Sequence, residues 1–283
     1  MKTYAILGDP VAHSLSPIFQ TAAFRAAGMP GEYVPLPTTA ANLPDAIERI
    51  RRGILAGANV TIPHKRAAVP LVDVLTEEAR AVQAVNWLGM EGGRLVGHNT
   101  DLAGLSRALA EAGIGVAGRM AVVFGAGGAA RAAVLALLRM GASRVVVGAR
   151  RDSEGTLLAS ELGAAAILPM SLSRARSTAM SADLVISAVP PDAWPDVAPP
   201  AIAQDAWIVD LAYDERGTPA ERWAMTKGAR AMNGMSMLLH QGALSFERWT
   251  GRVFPMDAAK ESLLGERTPE GGIDLERTPP SGD

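Results

Sequence analysis

The sequence predicts an α/β protein in two domains: an N-terminal α/β domain and a Rossmann-type, doubly wound parallel sheet. Three observations carry this. Short apolar runs alternate with helical stretches along almost the whole chain, the pattern of repeated βαβ units. A glycine-rich turn, Gly125-Ala126-Gly127-Gly128-Ala129-Ala130-Arg131, follows the apolar run Met120-Ala121-Val122-Val123-Phe124 and opens an Ala- and Leu-rich helix. It sits at mid-chain, so the segment ahead of it is long enough to be a domain rather than a linker. With 283 residues, 48% hydrophobic and 20% charged, the chain has material for two modest cores.

Each element has a local cause. Residues 4–7 read as the first strand. Ser16-Pro17 then offers an N-cap and a proline at the first helical position, for a helix running to Gly28. A helix is expected over 43–52 and a buried strand over 57–62, halted by Pro63. Thr76, followed by Glu77 and Glu78, caps a short helix. Strands over 86–90 and 95–97 flank Glu91-Gly92-Gly93-Arg94, which has hairpin chemistry. A helix over 102–112 crosses to the second domain. There the unit repeats: helix 129–140, strand 144–147, helix 153–162, strands 184–187 and 207–210, joined by right-handed crossovers. The Pro-rich stretch 190–200 reads as a loop. Residues 236–249 form an amphipathic helix with Met237, Leu238, Leu244 and Trp249 inward, returning to the first domain. From Gly265 the chain repeats Glu-Arg-Thr-Pro among glycine and charges, a composition that reads as disorder. The expected division is 1–101 with 237–264, then 102–236, then the tail 265–283.

Composition excludes several classes. The formal net charge of -2 gives no basic footprint for nucleic acid or an anionic membrane. There is no cysteine, and the four histidines (His13, His64, His98, His240) are scattered, so no metal is expected. The N-terminus meets Gly8-Asp9-Pro10 before an export signal develops, and no apolar run is long enough to span a bilayer. A cytoplasmic protein with a small-molecule partner is the expectation. Oligomeric state is not legible.

The glycine turn allows a tight strand-to-helix connection and close approach of a pyrophosphate to the helix N-terminus, or serves only as a tight connection. Five further segments stand in matching order around it. They are Gly8-Asp9-Pro10-Val11-Ala12-His13-Ser14-Leu15-Ser16-Pro17, Asn59-Val60-Thr61-Ile62-Pro63-His64-Lys65, Ala84-Val85-Asn86, Gly97-His98-Asn99-Thr100-Asp101, and Gly234-Met235-Ser236-Met237-Leu238-Leu239-His240-Gln241. Together they resemble the shikimate dehydrogenase family over roughly residues 3–264. The resemblance implies NADPH-dependent reduction of 3-dehydroshikimate to shikimate, on the route to aromatic amino acids.

The residues fit that chemistry. Ser14 and Ser16 stand at a helix start whose free amides favour a carboxylate, although Ser16 also suits a plain cap. By resemblance both hold the substrate carboxylate. Lys65 follows a strand end, where α/β proteins place ligands, and Asp101 closes a polar run before a helix, where it also suits a cap. Ketone reduction needs a proton and a nearby positive charge at oxygen, so the two read as an acid/base pair. Thr61, Asn86 and Gln241 carry neutral groups suited to a hydroxylated ring. By resemblance they bind substrate, as does Tyr213. Gly125, Gly127, Gly128 and Ala129 form the cofactor turn, and Gly234 joins them.

Arg150 and Arg151 lie beyond the second strand of this domain, where arginine accommodates a 2′-phosphate, so NADP is the expected cofactor with NAD as the alternative. Two departures temper this: Ala149 stands for the family's asparagine and Glu154 for a basic residue. Trp87, Leu102, Ser236 and the Ser187-to-Pro191 segment depart elsewhere. An NAD-using quinate/shikimate dehydrogenase keeps the same Lys65 and Asp101, and a silent nucleotide-binding paralogue would not require that pair.

Overall fold

The structure is a computed structural model describing residues 1–214 and 216–265. The tail expected over 265–283 therefore lies, apart from Gly265, outside the described residues.

The first half builds β1 (Lys2–Gly8), α1 (Ser16–Ala26), β2 (Gly31–Pro37), α2 (Leu43–Arg51), β3 (Gly57–Val60), β4 (Val74–Leu75), α3 (Glu77–Val82), β5 (Trp87–Glu91) and β6 (Arg94–His98). These strands form one six-stranded sheet in the order β2-β1-β3-β5-β6-β4. It is parallel except that β5 runs antiparallel to β3 and β6, as the Gly92-Gly93 hairpin requires. The alternation of β1 sorts its side chains to two faces. Tyr4 and Ile6 join Phe19, Phe24 and Phe246 on one side, while Ala5 and Leu7 join Ile47, Ile50 and Val60 on the other.

Helix α4 (Asp101–Glu111) leads to β7 (Met120–Phe124), α5 (Gly128–Arg139), β8 (Arg144–Ala149), α6 (Asp152–Leu162), β9 (Ile167–Ser171), α7 (Leu172–Ala179), β10 (Leu184–Ser187), α8 (Trp194–Val197), β11 (Trp207–Asp210), α9 (Pro219–Thr226) and β12 (Arg230–Met232). The second sheet is wholly parallel, ordered β12-β11-β10-β7-β8-β9, with the strand order reversing beside β7 where the glycine turn emerges. Val123, Val145 and Val147 face α4 and α5; Val122, Phe124 and Val146 face the buried Trp194 and Ala175.

Two helices close the described chain, α10 (Met235–Thr250) and α11 (Met256–Gly265). Helix α10 belongs to both cores: Met237 packs with the second sheet's helices, and Leu239 and Phe246 with the first sheet. Of the residues expected inward on it, Met237 is buried, whereas Leu238, Leu244 and Trp249 are half-buried. It lies against α4, with Gly104 at their crossing.

The stretch expected as a Pro-rich loop holds α8. Pro195 sits in that helix's first turn, where a missing N–H costs nothing, and Trp194 buries its indole. Strands β2, β4, β9 and β12 were not expected, nor were α7, α9 and α11.

Candidate active site

Residues 61–68 form a turn at the carboxyl end of β3, stapled by His64 N–H to Thr61 O, Ala68 N–H to His64 O, and the His64 ring to Thr38 O. Val85 N–H donates to Lys65 O at 2.8 Å, fixing the lysine backbone to the strand hairpin. The side chain then reaches Asp101, with Nζ donating to Oδ2 at 2.7 Å. Only 14% of the lysine side chain and 4% of the aspartate are exposed.

Asp101 opens α4 without capping it. Asn99 does that, its Oδ1 accepting from Asp101 N–H at 3.0 Å and Leu102 N–H at 3.3 Å. The carboxylate is thereby released from the cap duty open to it in sequence. Its Oδ1 accepts instead from Asn86 Nδ2 at 2.8 Å. Asn86 is fully engaged: Nδ2 also donates to Thr100 Oγ1, and Oδ1 accepts from Thr100 N–H at 2.8 Å. Behind it Asn59 donates to Asn86 O and to Ser245 Oγ, both at 2.9 Å, and accepts from the Tyr33 hydroxyl. Burial holds the Tyr33 pKa well above its ordinary value.

Sequence reasoning gave no role to Asn59, Asn99, Thr100 or Ser245. The first carried a signal, an amide within the otherwise apolar run Gly57-Ala58-Asn59-Val60; buried amides there need partners.

Ser16 is buried but does not cap α1. The cap position is Leu15 in a helical conformation, with no side-chain bond. Ser14 Oγ accepts from Ser16 N–H at 3.3 Å instead. Tyr213, after β11, crosses from the second half of the chain to pack on the first sheet's core. Its hydroxyl meets Ser14 and the Leu15 backbone, and burial, the largest influence, raises its pKa. Thr61 is half-buried at the mouth of β3, its Cγ2 occupying space that a Cβ on Gly8 would fill. Gln241, on α10, donates to Leu238 O at 2.8 Å.

The glycine turn faces this cluster. Gly125 has φ +115°, and a Cβ there would stand 2.7 Å from Ala188 O, so only glycine fits. Gly127 precedes α5 with no side-chain cap bond, and nothing lies within 4 Å of where its Cβ would be. The uncapped amides of α5 and that open space fit a pyrophosphate. A Cβ on Gly128 would come within 2.9 Å of Lys65 Cβ, so the absent side chain lets the turn touch the lysine stem. Ala129 follows in the first helical turn. Gly234 instead packs on the loop bearing Tyr213, donating to Ala212 O at 2.8 Å. Arg150 is exposed at the end of β8 and makes no ion pair among the described residues, while Arg151 is paired with Glu154.

A parallel sheet with a glycine turn at its switch point, set against a second α/β domain that presents a buried lysine–aspartate pair, defines a two-domain dehydrogenase. Comparison with known proteins narrows the class. The profile described as shikimate dehydrogenase substrate binding domain matches residues 6–88. Those for shikimate / quinate 5-dehydrogenase and the shikimate 5′-dehydrogenase C-terminal domain match 108–193 and 234–264. The shikimate dehydrogenase (NADP(+)) of Salinibacter ruber is 40% identical, covering 92% of this chain and 96% of its own. That of Moorella thermoacetica is 38% identical over 93% and 92%. Among solved structures, the Thermus thermophilus shikimate 5-dehydrogenase in complex with NADP(H) and shikimate superposes with a TM-score of 0.81 at 36% identity, covering 94% of this chain and 99% of that one. The Listeria monocytogenes enzyme in complex with shikimate and NAD gives 0.80 at 26% identity, covering 93% and 96%. The chain belongs to the shikimate dehydrogenase family.

Proposed function

We propose that this protein is an NADP-dependent shikimate dehydrogenase, catalysing the reversible reduction of 3-dehydroshikimate to shikimate in the cytoplasm. The observation that carries the reading is the buried Lys65–Asp101 pair lying against Gly128 of the glycine turn. Among the described residues no helix is long and apolar enough to cross a membrane.

NADPH, when bound, supplies the hydride. Gly125, Gly127, Gly128 and Ala129 would hold its pyrophosphate on the α5 amides, and Arg150, with Arg151, its 2′-phosphate; Gly234 supports the same cleft through the Tyr213 loop. Lys65 Nζ delivers the proton that the ketone oxygen gains, and its charge stabilises negative charge developing on that oxygen. Asp101 Oδ2 aims the ammonium, and in the reverse direction the neutral amine of Lys65 receives the hydroxyl proton and becomes ammonium again. Ser14 and Ser16 hold the substrate carboxylate with the Tyr213 hydroxyl beside Ser14. Thr61, Asn86 and Gln241 line the ring, Asn86 chiefly by holding Asp101 in place.

Initial rates for shikimate and quinate against NADP and NAD test this. Highest kcat/KM with shikimate and NADP is expected. A maximum with quinate and NAD would replace the reading with the NAD-using quinate/shikimate dehydrogenase, and no turnover with any pair would leave a nucleotide-binding paralogue.

A further inference from the structure

Two contacts join the turn that carries Lys65 to the second domain. One is the lysine stem against Gly128. The other is its neighbour: Arg66 Nη2 lies 3.5 Å from Glu161 Oε1 on α6. Glu161 is also the partner of Arg131, whose Nη2 bonds the other carboxylate oxygen, Oε2. Arg131 stands three residues beyond Gly128 on α5, is fully buried, and has no partner for Nε or Nη1. One carboxylate thus serves a buried guanidinium inside the second domain and an exposed guanidinium from the first.

This division of labour has consequences. Arg131 fixes Glu161 in place, because a buried guanidinium without its counter-charge is costly. Arg66 is 46% exposed and adds a cross-cleft bond that the fold of neither domain requires. The contact of Lys65 on Gly128 is van der Waals and has no directional preference. We propose that Arg66 and Glu161 are positioning residues: their ion pair clasps the cleft at the Lys65 turn and sets the distance between Lys65 and the glycine turn. The clasp rests on the dehydrogenase reading for its catalytic meaning, but its geometry does not.

The test uses the absence of cysteine in the chain, so that two introduced thiols are its only ones. Spin labels at Asp45→Cys on α2 and Leu157→Cys on α6, both exposed, report the separation of the domains by pulsed dipolar spectroscopy. The distribution is measured in the full chain, free and with NADP, for wild type, Arg66→Ala and Arg66→Lys. Arg66→Ala should lengthen or broaden the distribution, both free and with NADP, and raise the NADP dissociation rate about two- to five-fold, the scale of one partly exposed ion pair. Arg66→Lys, keeping the charge, should restore most of both. Arg66→Ala should also leave the melting temperature unchanged, whereas Glu161→Gln should lower it by orphaning Arg131. Coincident distributions for wild type and Arg66→Ala, or equal behaviour of Ala and Lys at position 66, would overturn the clasp. Absence of shikimate oxidation in the wild type would overturn the functional reading instead, and the distances in the free protein would still decide the clasp.

Discussion

Asn86 holds Asp101 from the side opposite Lys65: its amide donates to Oδ1 at 2.8 Å while Lys65 Nζ donates to Oδ2 at 2.7 Å. Neither carboxylate oxygen is free to turn, so the ammonium has one direction in which to point. The amide is itself fixed by Thr100 and, through its backbone carbonyl, by Asn59. The Lys65–Asp101 pair, the proposed acid/base pair, is thus rigid before any ligand arrives, the condition under which electrostatic stabilisation acts without reorganisation.

Replacing Asn86 by Ala should therefore lower both stability and kcat. Thr100 N–H and one carboxylate oxygen lose their partner in a buried site, a cost of about 1–3 kcal/mol. Thermal melts and initial rates check this. An Asn86→Ala protein with wild-type kcat would show that the side chain does not orient Asp101.

Lys65→Ala should reduce kcat by about 10²-fold or more, the usual scale of general acid–base help, with little change in NADP affinity. Titration of NADP by intrinsic fluorescence supplies the second number. Full turnover in this variant would remove Lys65 from the mechanism.

The interior of each sheet was legible in the sequence, and the edges were not. Strands β2, β4, β9 and β12 are the four edge strands, and none was expected. An edge strand is half-solvated, so it lacks the continuous buried apolar run that betrays β7, β8 or β10. Two of the four also carry prolines, Pro35 and Pro37 in β2 and Pro169 in β9, which read as breakers but are tolerated at an edge where no neighbour needs the N–H. Helix α9 had a readable start in Thr218-Pro219-Ala220-Glu221, a capping box completed in the structure. In the site, Lys65 and Asp101 could be read because family motifs carry them. Asn59 with Ser245, or Arg66 with Glu161, could not, since chain separation hides which buried or charged groups will meet.

His98 gives a pH dependence with a definite sign. It is held at about 4, below its ordinary 6.5, by desolvation first and then by Arg248, with Glu78 and Glu91 opposing. Thr76 Oγ1, which accepts from Ala79 N–H, lies 2.8 Å from His98 Nδ1. Between pH 6.5 and 4 the unfolded chain binds the proton and the folded chain does not. Stability is therefore complete above about 6.5 and falls as pH drops towards 4, by roughly 3 kcal/mol from this residue. His98→Gln should flatten the melting temperature between pH 6.5 and 4 relative to wild type. Parallel curves would remove His98 as the cause.

Ser14→Ala should raise KM for shikimate with kcat nearly unchanged, because a carboxylate remote from the reacting carbon is held about equally in ground and transition states. Ser14 Oγ also meets Ser16 N–H and the Tyr213 hydroxyl, so Tyr213→Phe should shift KM in the same direction. A loss of melting temperature with KM unchanged in both variants would reduce these groups to structural hydrogen bonds.

Cofactor preference turns on how two arginines are spent. Arg150 is exposed and unpaired among the described residues, so its planar guanidinium is available for charge-assisted bonds to a 2′-phosphate. Arg151 is held by Glu154 one helical turn on, which neutralises the second positive charge the site would otherwise present. NADP should therefore exceed NAD in kcat/KM, by a margin narrower than two free arginines would give. Arg150→Ala should lower NADP efficiency by about 1.5–3 kcal/mol, the range for a hydrogen bond to a charged group, and leave NAD efficiency nearly untouched. Glu154→Gln should move the other way, freeing Arg151 and widening the preference for NADP, most visibly at low ionic strength where the exposed charges are least screened. Equal weakening of both cofactors by Arg150→Ala, or an unchanged ratio in Glu154→Gln, would show that the phosphate is recognised elsewhere.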